Sequence, residues 1–220
     1  MQWTWTAAGL WVGVVGSGLY HGVNPGMGWP MAVSAGLMER SSRALGTALC
    51  LLMIGHGLAM LVVMLPFALL VSLFEWERIL QFCASLLLIG VGTLKLARSR
   101  HPRVLTRIPP SQLGLWSFVV AIAHGAGLML LPIYIGLCRT AASDPEQLRP
   151  FLGGDIGLAM LVSFIHSAAM IIGGGALAFL VFRFLGLKFI AHSWFNLDAV
   201  WASSLILAGS LSLAVALSRT

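Results

Sequence analysis

The sequence predicts an all-α integral membrane protein, with six transmembrane helices arranged as two inverted three-helix repeats. Three observations lead there. The chain is 59% hydrophobic and 9% charged, with a mean hydropathy of +0.94, whereas soluble domains carry about 25% charged residues. Charged clusters divide it into six apolar segments, 10–38, 44–74, 79–97, 108–138, 155–182 and 188–217. Finally, the two halves of the chain share short sequences at a nearly constant offset.

Each segment is long enough to span. About 20 helical residues cross roughly 30 Å of hydrocarbon, so segments nearer 30 residues must tilt, protrude or break. Met1–Leu10 lacks the basic start of a cleavable signal, and the first segment is expected to be retained. The net charge of +6 does not indicate a nucleic-acid partner, because the basic residues sit in short loops between apolar runs. Nine Lys and Arg fall on one side: Arg40, Arg43, Lys95, Arg98, Arg100, Arg103, Arg107, Arg183 and Lys188. The other side has Arg78, Arg139, Arg149 and Arg219. The positive-inside rule then puts both termini outside the cytoplasm, and the chain reads as a protein of the bacterial cytoplasmic (inner) membrane. Cys50, Cys83 and Cys138 have no paired spacing and are read as small apolar packing residues.

The repeat rests on His21-Gly22 recurring as His124-Gly125, and on GLAMLV at 57–62 recurring at 157–162. Residues 1–97 form the first repeat, the basic stretch 98–107 the linker, and 108–220 the second repeat. Three helices per half make the two topologies opposite, an arrangement that places substrate sites near the midplane beside broken helices.

The first segment contains such a break. Residues 21–30 read HGVNPGMGWP. Pro25 and Pro30 remove backbone donors and disfavour helix in the residue before each. With Gly26 and Gly28 they should interrupt the helix and expose carbonyls and amides, which is tolerated only against protein or a water-filled path. Pro66 and Pro132 should kink their helices, and Gly173-Gly174-Gly175 should loosen the fifth segment or permit close packing. In the second half the expected distortion is Pro132 alone. Trp29, unlike the tryptophans near span ends, is placed along the path. The third segment has no charged side chain between Ile79 and Thr93 and should be peripheral.

The polar residues of the apolar segments share a depth. His21 and Asn24, His56, His124 and His166 lie near the middles of segments one, two, four and five, while His192, Asn196 and Asp198 form a patch in the sixth. Buried ionisable groups in membranes are costly and usually face a partner or a water-filled path. All eight are candidates for a solute or ion path. His21, His56, His124 and His166 are the candidate metal ligands, since neutral imidazole suits Ni, Co, Cu and Zn while Mg and Ca want oxygen. Histidine also protonates near neutral pH and could couple movement to protons. Met27 and Met31 would suit Cu(I), although a packing role is the simpler reading. Glycine follows His21, His56 and His124, and would let a second backbone or a solute approach the ring.

The first half, HGVNPGMG (21–28), a short basic loop ERSSR (39–43), ALGTAL (44–49) and GHG (55–57), resembles the nickel/cobalt exporter branch of the lysine-exporter superfamily. That branch has a histidine, a Pro-Gly-His-Gly turn, a basic loop and a second histidine on the next helix; position 27 is Met here. The resemblance covers about 50 residues and implies a six-helix permease exporting small solutes or metal cations. The expected function is passage of a small solute, with a transported Ni, Co, Cu or Zn ion foremost. No tightly bound cofactor and no enzymatic activity are expected, since HExxH, GxSxG and Walker-type sequences are absent. The alternatives are a non-transporting haem-binding or metalloenzyme-assembly membrane protein, and an organic-solute exporter of the same superfamily. The expected partners are the lipid bilayer and the solute.

Overall fold

The structure, a computed structural model, describes residues 2–73, 77–97, 109–143, 155–185 and 197–217. These are helical almost throughout. In chain order they form α1 (Gln2–Val23), a 3-10 turn (Pro25–Met27), α2 (Trp29–Met38), α3 (Ser42–Leu73) and α4 (Glu77–Ala97). A second 3-10 turn (Pro110–Gln112) leads into α5 (Leu113–His124) and α6 (Ala126–Ser143). Then come α7 (Asp155–Leu180), with a π-helical turn at Val181–Leu185, and α8 (Leu197–Leu217). The linker 98–107, His192 and Asn196 lie outside the described residues. Asp198 belongs to the first turn of α8, but its side chain is likewise outside them.

Two stretches, Ser42–Leu69 and Ile156–Leu185, are long and apolar enough to cross a membrane, and a third qualifies if α5 and α6 together make one bent span. α3 alone, at 32 residues, is about 48 Å long at 1.5 Å per residue. The outer surface is apolar: Phe184 is 74%, Phe164 72% and Val12 70% exposed. Patches of that kind on a monomer mark contact with another apolar phase. Cys50 and Cys83 lie on this outer face and Cys138 is buried, so only Cys138 has the packing role expected of all three.

The main helix contacts tie the first part of the chain to the second. α1 lies against α7 and α5 against α3, α3 crosses α7, and α4 lies along α8. Interchanging α1 with α5, α3 with α7 and α4 with α8 maps these four contacts onto themselves, whereas α6 also packs on α1, α4 and α8 and α2 does not match it. The repeated hexapeptide sits at the centre: Ala59 and Met60 of one copy and Leu158, Ala159 and Val162 of the other share one buried cluster. The third segment, α4, lies along α8, touches α6 and places Ala84 in the same buried cluster. Between α4 and α8, Gln81, Ser85 and Ser212 form a buried polar group, with a 2.9 Å hydrogen bond between the two serine hydroxyls.

Both halves begin with an interrupted helix, by different means. In the first, Asn24 ends α1 and caps the 3-10 turn, accepting from the Gly26 amide through Oδ1 at 2.9 Å. Gly28 then turns the chain at φ +101°, a conformation that side-chain-bearing residues rarely adopt, and Pro30 stands in the first turn of α2. In the second half the break is at Gly125, with φ +72°, and α5 and α6 are bent by 62° there. The helix runs on through Pro132. The expectation of a lone Pro132 distortion is therefore corrected. Proline costs one hydrogen bond and a local clash, whereas left-handed glycine redirects the chain.

The first break is also less open than the sequence suggests. The Asn24 amide donates to carbonyls of Tyr20 and His21, and the indole N–H of Trp29 donates to the Val23 carbonyl oxygen at 3.1 Å. Asn24 and Trp29 thus close the corner. Buried backbone groups without partners are costly, and these two side chains supply partners that the prolines and glycines cannot.

Candidate functional site

Three of the four candidate histidines converge. His21 ends α1, His56 lies midway along α3 and His166 lies midway along α7; all three are 0% exposed. Their ring centroids are 5.1 Å (His21–His166), 5.4 Å (His21–His56) and 5.7 Å (His56–His166) apart. One nitrogen from each ring lies within 4.8 Å of the others, and no carboxylate or thiolate joins the group among the described residues.

These spacings match those of a triad bound to one ion. A metal–nitrogen bond of about 2.0–2.1 Å puts a metal about 3.2 Å from the imidazole centroid. Three ligands at tetrahedral angles then have centroids about 5.2 Å apart, and in a plane about 5.5 Å. The rings already stand at these separations, and rotation about the side-chain bonds would bring the nitrogens in.

The surroundings prepare the nitrogens unequally. The Ser17 hydroxyl donates to the Val14 carbonyl oxygen at 2.9 Å, which leaves its oxygen to accept from Nδ1–H of His166 at 3.1 Å. The His166 proton is then on Nδ1 and Nε2 carries the lone pair. That Nε2 has no hydrogen-bond partner, and neither ring nitrogen of His56 has one. A buried polar atom without a partner costs about 1–3 kcal/mol, so these nitrogens lower the stability of the fold. Ser17 was not among the sequence candidates. Its signal was available: it lies four residues before His21, hence on the same face of α1. Ser17→Ala is expected to weaken ion binding about 10–100-fold, as loss of an outer-shell hydrogen bond to a ligating histidine typically does. Ser17→Thr should restore it, and competition titration of the purified protein would measure both.

His124 does not join the triangle. α5 ends at His124, and its Nδ1–H donates to the Val120 carbonyl oxygen of the preceding turn at 2.9 Å, which directs the ring back along its own helix. The expected four-histidine set is thus a set of three, and the halves contribute unequally. His21 stands at the level of the break, and His166 of α7 rather than His124 of α5 completes the set.

The three His-Gly pairs do three different things. A side chain at Gly22 would overlap the Met170 carbonyl oxygen, so Gly22 brings α1 and α7 together. Gly125 makes the second break. A side chain at Gly57 would meet only Ser167 Oγ, at an ordinary 3.7 Å.

Beside the histidines, between α1, the break and α7, is a cavity of about 10 Å³, room for about one water. Gly22, Met27, Trp29, Leu52, Met170 and Gly174 line it. Gly22 follows His21 and Met170 lies one turn from His166, but the lining itself contains no histidine. Met31 packs partly buried in the α2–α3 core instead.

No family model matches the chain, and no curated protein or solved structure was found to be similar to it.

Proposed function

We propose that the chain is a permease of the cytoplasmic membrane that passes a transition-metal cation through the His21–His56–His166 site. The carrying observation is the triangle itself: three fully buried imidazoles, from helices of both halves, at metal-triad spacing and with ring nitrogens of His56 and His166 left unpartnered. The six-span inverted repeat, with both termini outside, is part of the proposal. The exchange symmetry of the four main helix contacts and the interrupted first helix of each half support it, as does the partial resemblance to the nickel/cobalt exporter branch. His21 stands edge-on to the other two rings, and His56 and His166 are stacked.

Element analysis of the purified protein, together with ion flux into proteoliposomes, tests this. One transition-metal ion per chain and flux dependent on His166 are expected. Stoichiometric haem, or transport of an organic solute indifferent to His166→Ala, would refute it.

A further inference from the structure

A metal ion held by three imidazoles keeps an open position, which water ordinarily fills. Resting on the reading that the histidines take a cation, we infer that Ser167 is a further residue of this site, its hydroxyl holding the water at that open position.

The bonding of the hydroxyl carries this. A helical serine can donate to a carbonyl oxygen of the preceding turn, and three buried serines do so: Ser17 to Val14, Ser85 to Gln81 and Ser163 to Ala159. Ser117 donates across to the Leu52 carbonyl oxygen of α3, and Ser212 is bonded to Ser85. Ser167 is as buried as these, at 6% exposed, yet its Oγ has no hydrogen-bond partner among the described residues. The oxygen is turned instead towards α3, 3.7 Å from where a side chain at Gly57 would begin.

That direction leads to the histidines. Gly57 follows His56 and Ser167 follows His166, so the hydroxyl lies in the same α3–α7 crossing as the two stacked rings. Both nitrogens of His56, Nε2 of His166 and Oγ of Ser167 are thus buried without partners at one crossing. An ion engages the nitrogens and leaves the oxygen over. Successive helical residues turn by about 100°, which sets Ser167 beside His166 rather than on its face. This is the place of a group acting through a water, not of a direct ligand. Water bound to a metal is acidified and a strong donor, and a serine oxygen accepts from it.

Co(II), whose visible spectrum reports its coordination, is the probe. It would be titrated into the full chain, purified in detergent, as wild type, Ser167→Ala, Ser163→Ala and His166→Ala, with thermal melts of each ion-free protein. Ser167→Ala is expected to bind about 10–100-fold more weakly than wild type, with an altered spectrum at saturation. Its ion-free form should melt no lower, since loss of the hydroxyl strands no partner. Ser163→Ala, one turn away with its hydroxyl already bonded within α7, should match wild type in affinity and spectrum. If Ser167→Ala also matched wild type while His166→Ala lost the ion, Ser167 would leave the site and the histidines would stand. Weaker binding with an unchanged spectrum, or a lower ion-free melting temperature, would make the serine structural and overturn the inference. If wild type bound no Co(II), or His166→Ala bound it equally, the histidine reading would fall and this inference with it.

Discussion

Replacing His56 with leucine is expected to abolish ion binding while leaving the ion-free protein at least as stable as the wild type. The two halves of that expectation come from one observation. Both ring nitrogens of His56 are buried without a hydrogen-bond partner, and each such atom costs about 1–3 kcal/mol. Leucine is of similar size and has no polar atom, so the substitution removes that cost without opening the cavity that alanine would leave. A histidine that merely bridges helices would behave oppositely, because its loss strands a partner. With only two rings left, ion affinity should fall by more than the 10–100-fold typical of outer-shell changes. The measurement is a pair of thermal melts. Ion-free His56→Leu should melt at or above the wild-type temperature, and the rise that an ion gives the wild type should be missing. A drop of several degrees in the ion-free variant would identify His56 as structural.

Much of this was legible in the sequence because hydrophobic segments report depth. Counting from segment ends put His21, His56 and His166 at one level and located the break at Asn24–Gly28. What sequence does not report is direction around the helix axis. Successive residues turn by about 100°, so two histidines at one depth can face apart, and His124 has the right depth with its ring turned along α5. The same blindness hid Ser17, whose importance lies in what faces it across the α1–α7 contact. The break at Gly125 was obscured for another reason. Prolines advertise a disruption by their chemistry, whereas a single glycine among 25 is a break only if the surrounding packing drives its backbone to positive φ. Closure of the first break by Asn24 and Trp29 required knowing which carbonyls and amides had been released. It is a property of the folded corner and of no residue pair read alone.

Gly22→Ala should damage the site without touching a ligand. A Cβ built at Gly22 overlaps the Met170 carbonyl oxygen and comes to 2.7 Å from the Gly174 amide nitrogen and 2.9 Å from the Met170 carbonyl carbon. These are backbone atoms of α7 and cannot turn aside as a side chain would, so the helices must separate. Overpacking costs about 1–3 kcal/mol where side chains can adjust, and the upper part of that range is expected here. The separation acts on the residue before Gly22 as well. It would widen the 5.1 Å His21–His166 spacing and strain the Ser17–His166 hydrogen bond at the same interface, so stability and ion affinity should fall together. Gly16→Ala is the control on the same helix. A Cβ there meets nothing within 4 Å, and alanine favours helix over glycine by about 1 kcal/mol. That variant should melt no lower than the wild type and bind the ion unchanged. If Gly22→Ala behaved like Gly16→Ala in both respects, the close α1–α7 approach would not be what sets the geometry of the histidine triangle.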